Sequence, residues 1–598
     1  MDHNVSHFLR LAADINTPFK IQEPLPVSIE QLAEVLCCTP RNVKFILRKL
    51  EEKAFIHWQP GRGRGHISKL TFVRSVEEVL EEVLQELIGK GKIKQGIDLI
   101  GLPEVSGLVK ERLLATLNKQ MGYHSETEST EGLDVLRITR NRHMLKLDSA
   151  CVYTAFEAFL LGQIYSTLVT YDAAGGSFLP GLAHMWEANE SYTSYIFYLR
   201  KGVRFHHGRV MTAKDVKHTL QRLVNQNSPA LWHFRDIAGV ELLGDHRVRF
   251  DLSRPNRFFL HTLSSVYMSV LPWDTDAAAD SPVGTGPYRV LNLNEDVLVL
   301  AAFDDYYSIR PLLDRVEIWY LPDQWASERH YQLPEAEEQR PSSEPCANNS
   351  IDYPALGCRY LLTNFRKKGL QHNFHFRQAM RLLYHPLALI RELGGNRITP
   401  ADSFLTWRSR QRTWSEPALE LAKEQLDLSG YSGEVITLAY IPKKDEREEA
   451  EWLKRRGAGI GLHFRLLDYK DFDLEEIKEE ADFVFAEEVL EDDWQWGMIN
   501  YFVNKSNHLH SLLDESQRER IESGLTHFAE LPAEGRSRLL EQTEAILRDN
   551  AWVLYGCHMN KRAQLNQSLF GLHTGSFGFL DISRLWIKTG FPEENAEN

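Results

Sequence analysis

Apolar residues fall at helical spacing early in the chain. In the run Val27-Ser28-Ile29-Glu30-Gln31-Leu32-Ala33, the side chains of Ile29, Leu32, Ala33 and Leu36 share one face, and Ser28 stands where it can cap the helix. Thr39-Pro40 then supplies an N-cap followed by proline at the first helical position. A second helix is predicted through Leu50, with Val43, Ile46, Leu47 and Leu50 turned inward and Arg41, Asn42, Lys44, Arg48 and Lys49 left toward solvent. The period changes to strand-like over Ala54-Phe55-Ile56-His57-Trp58, passes through a glycine-rich basic turn at 59–65, and returns as a strand over 67–72. Next comes an apolar stripe of Val76, Val79, Leu80, Val83, Leu84, Leu87 and Ile88, backed by Glu77, Glu78, Glu81, Glu82 and Glu86. A further helix is predicted over 105–117, and residues 122–132 read as a polar linker. From Leu133 onward short apolar strands alternate with helices, the signature of an α/β body.

Charge divides the chain as the pattern does. Residues 1–74 hold 11 Lys+Arg against 7 Asp+Glu, whereas the 598-residue chain as a whole carries −14. Two ends of opposite sign point to two different partners. At this length two to four domains are expected. Six Cys with no Cys-x-x-Cys spacing fit a reducing compartment and suggest neither a disulfide framework nor a zinc knuckle. Asp2, Asp14, Glu23 and Glu30 interrupt the stretch where a secretory signal needs a basic start and an unbroken apolar run. No apolar run reaches the roughly 18 residues of a membrane span. A cytoplasmic protein without membrane contact is expected.

Helix, tight turn, basic helix and basic hairpin together resemble a winged helix-turn-helix. In that arrangement the second helix suits the major groove of double-stranded DNA, bringing Thr39, Arg41, Asn42 and Lys44 near base edges with Arg48 further along. Arg62 and Arg64, on the glycine-rich tip, suit phosphates or an adjacent minor groove. The apolar stripe after residue 75 suits either packing on the head or the seam of a homodimer. Its seven positions fall short of a coiled coil, which favours packing.

The body carries a second resemblance. The stretch Leu179-Pro180-Gly181-Leu182-Ala183-His184-Met185-Trp186, the run from Tyr195 through Gly208, and Met211-Thr212-Ala213-Lys214-Asp215-Val216 resemble the signature of family 5 extracellular solute-binding proteins. Pro282-Val283-Gly284-Thr285-Gly286-Pro287-Tyr288-Arg289 is similar to that family's Gly-Thr-Gly-Pro-Tyr motif, and Phe376-Arg377-Gln378-Ala379-Met380 to the helix start of its second lobe. Most of these residues have structural explanations, Thr212 as a cap and the glycines as turn formers. A body of this kind behind a DNA-binding head resembles the SgrR family of bacterial transcriptional regulators, which implies a cytoplasmic sensor with sugar phosphates as ligand class. His207 departs from the motif, which usually has Asp there, and the Pro/Glu/Ser-rich run at 334–345 reads as a flexible loop where receptors carry an ordered element.

The resulting expectation is a multidomain chain. An α+β winged helix-turn-helix at 1–74 is followed by a helical connector at 75–121 and a linker at 122–132. A two-lobed, periplasmic-binding-protein-like α/β domain (class II, family 5) then fills 133–598, with a flexible loop at 325–352. A crevice between two lobes holds a ligand with aromatic platforms and a few fixed polar groups. Asp492, Asp493, Trp494 and Trp496 are the leading ligand-binding candidates, because the resemblance to peptide receptors implies an Asp there that meets an α-amino group. Tyr171, Asp172 and Arg359 are weaker ones. The small-molecule partner is expected to be a sugar phosphate, a sugar or an oligopeptide. No Gly-x-Ser-x-Gly, Walker A or His-Glu-x-x-His pattern occurs, so neither catalysis nor a cofactor is implied. The His372/His375 and His508/His510 pairs lack further ligands at metal-site spacing. The alternatives are an importer-type receptor, or a nutrient-binding module that does not touch DNA.

Overall fold

The computed structural model describes residues 3–14, 21–61, 67–120, 122–126, 133–140, 144, 147–275, 282–321, 349–354, 356–416, 418–469, 474–565, 569–573 and 579–587. Arg62 and Arg64 lie outside these residues, as does residue range 325–348 of the expected loop.

The head begins with α1 (His3–Asp14), which turns Val5, Phe8, Leu9 and Leu11 inward, and β1 (Pro24–Pro26). Neither is anticipated by the pattern read from residue 27 onward. In α2 (Ile29–Val35), Ser28 and Gln31 exchange side-chain-to-backbone hydrogen bonds of 3.1 and 2.9 Å, a complete capping box. α3 (Pro40–Glu52) starts where the Thr39 Oγ1 accepts from the Asn42 N–H at 3.4 Å, and Pro40 occupies the position whose N–H has no helical partner. Its Val43, Ile46, Leu47 and Leu50 are buried as the spacing predicts. β2 (Ile56–Gln59) and β3 (Lys69–Phe72) run antiparallel with Ile56 opposite Phe72, and β1 joins the other side of β3. This is the winged helix-turn-helix the sequence suggests.

Three helices complete the head: α4 (Val76–Gly89), α5 (Ile93–Gly101) and α6 (Gly107–Lys119). Val79, Leu80 and Leu84 of α4 sit in one core with Phe8, Leu50, Phe72 and Leu113. The boundary expected at residue 74 therefore falls inside a single core, and the stripe on α4 is spent within the chain and is not available as a dimer seam. α5 is absent from the sequence reading because Gly89, Gly91, Gly96 and Gly101 mask the spacing of Ile93, Ile97 and Ile100.

A second difference concerns the linker. Its first residues form β4 (Gly122–Glu126), antiparallel to β5 (Leu133–Arg140), with Gly122 opposite Arg137. A strand at the margin of a sheet is held by main-chain hydrogen bonds to one neighbour, so it needs no apolar alternation to form.

The first lobe continues with α7 (Ala155–Ile164), β6 (Val169–Asp172), β7 (Ser177–Pro180), β8 (Ala183–Ala188), β9 (Ser194–Leu199), α8 (Ala213–Asn225), β10 (Ile237–Leu242), β11 (Arg247–Leu252), α9 (Phe259–Ser264), β12 (Tyr288–Leu293), β13 (Val297–Ala302) and β14 (Arg315–Tyr320). Among the described residues one sheet has the order β12-β13-β14-β5-β4, with β14 parallel to β5, and another β10-β11-β9-β8. The glycines of the Gly-Thr-Gly-Pro-Tyr motif act by close approach to α7 more than by turning the chain. A Cβ on Gly284 would stand 2.1 Å from the Ile164 carbonyl oxygen, and one on Gly286 2.5 Å from the Ile164 carbonyl carbon.

The second lobe holds β15 (Asn349–Pro354), β16 (Gly357–Thr363), α10 (Phe374–Leu383), α11 (Pro386–Leu393), β17 (Arg397–Pro400), α12 (Thr406–Ser409), α13 (Leu419–Leu428), β18 (Val435–Tyr440), α14 (Lys444–Ala458), β19 (His463–Asp468), α15 (Leu474–Glu480), β20 (Phe483–Val489), α16 (Trp494–Val503), α17 (His508–Leu512), α18 (Glu515–Gly524), α19 (Ala533–Asp549) and β21 (Val553–Leu565). Its sheet runs β15-β21-β16-β20-β18-β19, with β17 also on β21. β15 begins at Asn349, inside the range expected to be loop. The chain finally returns to the first lobe, where the Ile582 carbonyl accepts from the Tyr288 hydroxyl at 3.1 Å.

Head and first lobe meet in an apolar seam. Ile93 and Ile97 of α5 and Leu117 of α6 pack with Val297, Trp319 and Leu321, all buried. Beside it the Lys94 N–H donates to the Asp296 carboxylate at 2.7 Å, and the Lys94 ammonium faces Glu295 at 3.5 Å. Six such side chains stabilise the junction by on the order of 10 kcal/mol before ordering costs. An Ile97→Asp substitution puts an unpaired carboxylate into this seam, at a cost of roughly 2–5 kcal/mol. Hydrogen exchange should then show α5 and β13 losing protection while α10 and α14 keep theirs; unchanged exchange in α5 would mean the seam does not hold the head.

Candidate nucleic-acid face and inter-lobe site

The exposed side of α3 is the head's charged face. Arg41, Asn42, Lys44 and Arg48 are all exposed there. Thr39 is also exposed, but its hydroxyl is engaged as the cap. Arg48 reaches Glu52 at 3.3 Å, a solvated pair one helical turn away and of small energetic weight. Phe45 lies in the middle of this face, 54% exposed, with the Arg48 guanidinium 5.8 Å and the Lys49 ammonium 5.9 Å from its ring centre. The sequence reading passes over it as one member of a helical run. The antiparallel pair β2–β3 stands beside the helix.

The lobes meet around α9 and α16. The end of β20 leads through Leu490 into Glu491, Asp492 and Asp493, and Asp493 caps α16 by accepting from the Trp496 N–H at 3.2 Å. Its other oxygen is 2.5 Å from Nδ1 of His261, on α9 of the first lobe. The remaining ring nitrogen of His261 faces Arg536 of α19 at 3.4 Å. Arg536 donates to the Gln495 side-chain oxygen and the Leu531 carbonyl, both at 2.9 Å, and lies over the Phe258 ring. Burial lowers the Arg536 pKa to about 10 against the opposing pull of Asp493.

Aromatic rings surround this pair. Phe258 stacks on His261 at 4.2 Å, Phe178 meets it edge-on at 4.8 Å, and Tyr171 lies 5.7 Å away. Burial, then the Asp493 charge, raises the Tyr171 phenol above its ordinary value. Trp496 is fully buried, its ring 4.2 Å from that of His233 and its indole N–H donating to Glu491 at 2.9 Å. Burial drives the His233 imidazole down to about 3, so it is neutral where its Nε2 meets the Asn500 side chain at 3.2 Å. The Asn504 amide adds a further bond across the lobes, to the Tyr267 hydroxyl at 2.7 Å.

Tyr171, Asp493 and Trp496 thus come together, and the other sequence candidates stand apart from them. Asp172 closes the β6–β7 turn by accepting from Ala174 and Gly175. Asp492 is exposed. Trp494, offered with Trp496 as a ligand contact, opens α16; it stacks edge-on against Trp407 and has Arg408 5.9 Å from its ring. Arg408 also lines a polar cavity of about 490 Å³ with Asp402, Arg412, Glu541, Glu544 and Arg548. Arg359 is the clearest departure from expectation. It is buried on β16 and bound to Glu449 at 2.9 Å, while Arg397 takes the same carboxylate oxygen at 2.7 Å. Burial works against the Arg359 cation, but Glu449 and Glu487 outweigh it and hold its pKa above the usual range. A guanidinium so occupied is not open to an anionic ligand.

His261, Arg536, Phe178, Phe258 and Glu491 are the site residues the sequence did not suggest. His261 sits 232 positions from Asp493 and 275 from Arg536, separations at which no spacing rule operates.

A winged-helix head on a two-lobed solute-binding body is the class this architecture defines. The family model for "Bacterial extracellular solute-binding proteins, family 5 Middle" matches residues 177–508, and that for "Sugar transport-related sRNA regulator N-term" matches residues 4–128. The chain belongs to the family 5 solute-binding proteins and, within them, to the SgrR family. It is 30% identical to the uncharacterized protein YhjP of Bacillus subtilis (strain 168), over 94% of this chain and 96% of that one. It is 26% identical to the HTH-type transcriptional regulator SgrR of Yersinia enterocolitica, with the same coverage. Among solved structures, a dipeptide-binding protein from Pseudoalteromonas sp. SM9913 in complex with Met-Leu aligns with TM-score 0.65 and 19% identity, covering 76% of this chain and 100% of that one. The oligopeptide-binding protein AppA of Bacillus subtilis, in complex with a nonapeptide, aligns with TM-score 0.64 and 18% identity, covering 76% and 99%. At these identities the structures share the fold.

The inter-lobe site carries a pH dependence of definite sign. Burial, with Asp493 and Asp492 nearby, pushes the Glu491 carboxyl up to about 8. The folded protein therefore holds this proton more tightly than the unfolded chain, and the associated stability, full below the ordinary carboxyl pKa, is lost as pH rises to about 8. Glu491→Gln keeps an acceptor for the Trp496 indole and removes that loss. Between pH 5 and pH 9 the parent should lose on the order of 2–4 kcal/mol more stability than the variant. Thermal melts across this range check it, and parallel pH profiles for the two proteins would refute the assignment.

Proposed function

We propose that this protein is a ligand-responsive transcriptional regulator, binding double-stranded DNA through α3 and the β2–β3 wing and sensing a small solute between its lobes. The observation that carries this reading is the exposed Arg41, Asn42, Lys44 and Arg48 face of α3, on a head fastened to the first lobe by the buried Ile93, Ile97, Leu117 and Trp319 seam. A helix of about 10–12 Å diameter fills a major groove of about 12 Å, with the residues of its first turn at the base edges. Arg41 and Asn42 stand in that first turn. The Yersinia relative is an HTH-type transcriptional regulator, which supports the reading, as does the regulator-type N-terminal match. Such work places the protein in the cytoplasm. Among the described residues no helix is long and apolar enough to cross a membrane.

The solute belongs to the class of sugar phosphates, sugars or oligopeptides. Related folds hold a dipeptide or a nonapeptide, and the N-terminal match is named for sugar transport. The role assigned to the body is binding, between the lobes beside the cluster of Tyr171, His261 and Asp493, with Trp496 packed behind it. Because the seam ties the head to the first lobe, a ligand that favours one arrangement of the lobes alters how the second lobe sits beside the DNA-bound head.

A gel shift on DNA upstream of the protein's own gene tests the first half. At low salt the full-length chain should bind, and Arg41→Ala should weaken binding about tenfold or more. Folded protein that leaves this DNA unshifted would sink the proposal. A thermal-shift screen of peptides, sugars and sugar phosphates tests the second half. A cognate solute at a hundredfold excess over its Kd adds about 2.7 kcal/mol of stability, and no shift with any of the three classes would contradict the sensor role.

A further inference from the structure

We propose that Phe45 is a specificity-determining residue of the head, reading the C5 methyl group of a thymine in the major groove. The inference rests on the DNA-binding reading above and adds to it a base preference.

At about 100° per residue, Arg41, Phe45 and Arg48 fall within about 60° of arc, and Phe45 points about 150° away from the middle of the face formed by Val43, Ile46, Leu47 and Leu50. Those four side chains are buried, whereas Phe45 is 54% exposed. Phe45 therefore contributes to no core within its helix. An aromatic ring at the centre of a cationic surface needs another partner, since apolar area left in water is unfavourable. Arg48 and Lys49 place their charges 5.8 and 5.9 Å from the ring, holding it among the groups that approach phosphates. Base edges in the major groove present hydrogen-bond donors and acceptors and one apolar group, the thymine methyl. Arg41, one turn before Phe45, has the fork geometry suited to a guanine beside it.

The test uses full-length protein and a duplex that it selects from a random pool. Each thymine of the selected site is replaced in turn by deoxyuridine, which removes only the methyl, and affinities are measured for the parent and for Phe45→Ala. The expected result is at least one thymine whose demethylation weakens the parent about fivefold or more and leaves Phe45→Ala unaffected. Phe45→Leu, which keeps an apolar contact, should retain part of the sensitivity. Parent binding indifferent to every demethylation, or equal losses in parent and Phe45→Ala, overturns the proposal while DNA binding stands. Failure to select any duplex overturns both, and so separates the two ideas.

Discussion

The seam between α5, α6 and the β13–β14 region is the contact on which the molecule's organisation depends. Burying Ile93, Ile97 and Leu117 against Val297, Trp319 and Leu321 turns a head and a body that could each fold around its own core into one mechanical unit. Its position matters as much as its area. The seam grips the first lobe, so the head rides on that half of the body.

The inter-lobe site is electrostatically demanding. His261, Asp493 and Arg536 form a run of opposite and polar partners drawn from both lobes, enclosed by Phe178, Phe258 and Trp496. Groups removed from water in this way stay ionised only while their partners remain. Glu491, buried beside Asp493 and Asp492, accommodates instead by holding its proton, and His233 by giving one up. The same logic explains Arg359. Two guanidiniums and Glu449 satisfy one another under the sheet of the second lobe, a structural role for what the sequence offers as a ligand contact.

What was legible in the sequence is what local rules govern. Ser28 with Gln31, Thr39 with Pro40, and the inward set of α3 are fixed by hydrogen bonds and periods that span a few residues, and all appear where the pattern puts them. The two-lobed body was legible through motif resemblance, though the glycines at 284 and 286 turn out to be needed for contact with Ile164 and not for a turn. The inter-lobe site was only partly legible. Asp493 and Trp496 were within reach through the resemblance to peptide receptors and Tyr171 through its place after a helix, but His261 and Arg536 join them only after two lobes have formed. α5 and β4 were missed for opposite reasons, one because glycines blurred its period and the other because main-chain pairing leaves no period to read.

The strand β4 is the outermost of its sheet. It brings the chain out of the head and directly onto β5, so the head finishes the body's own sheet. A solute-binding half that began after this strand, between residues 127 and 132, would present β5 with unpaired amides and carbonyls, an invitation to self-association. The two halves are thus not freely separable parts joined by a tether: the segment leading out of the head is also the strand that covers the edge of the body's sheet.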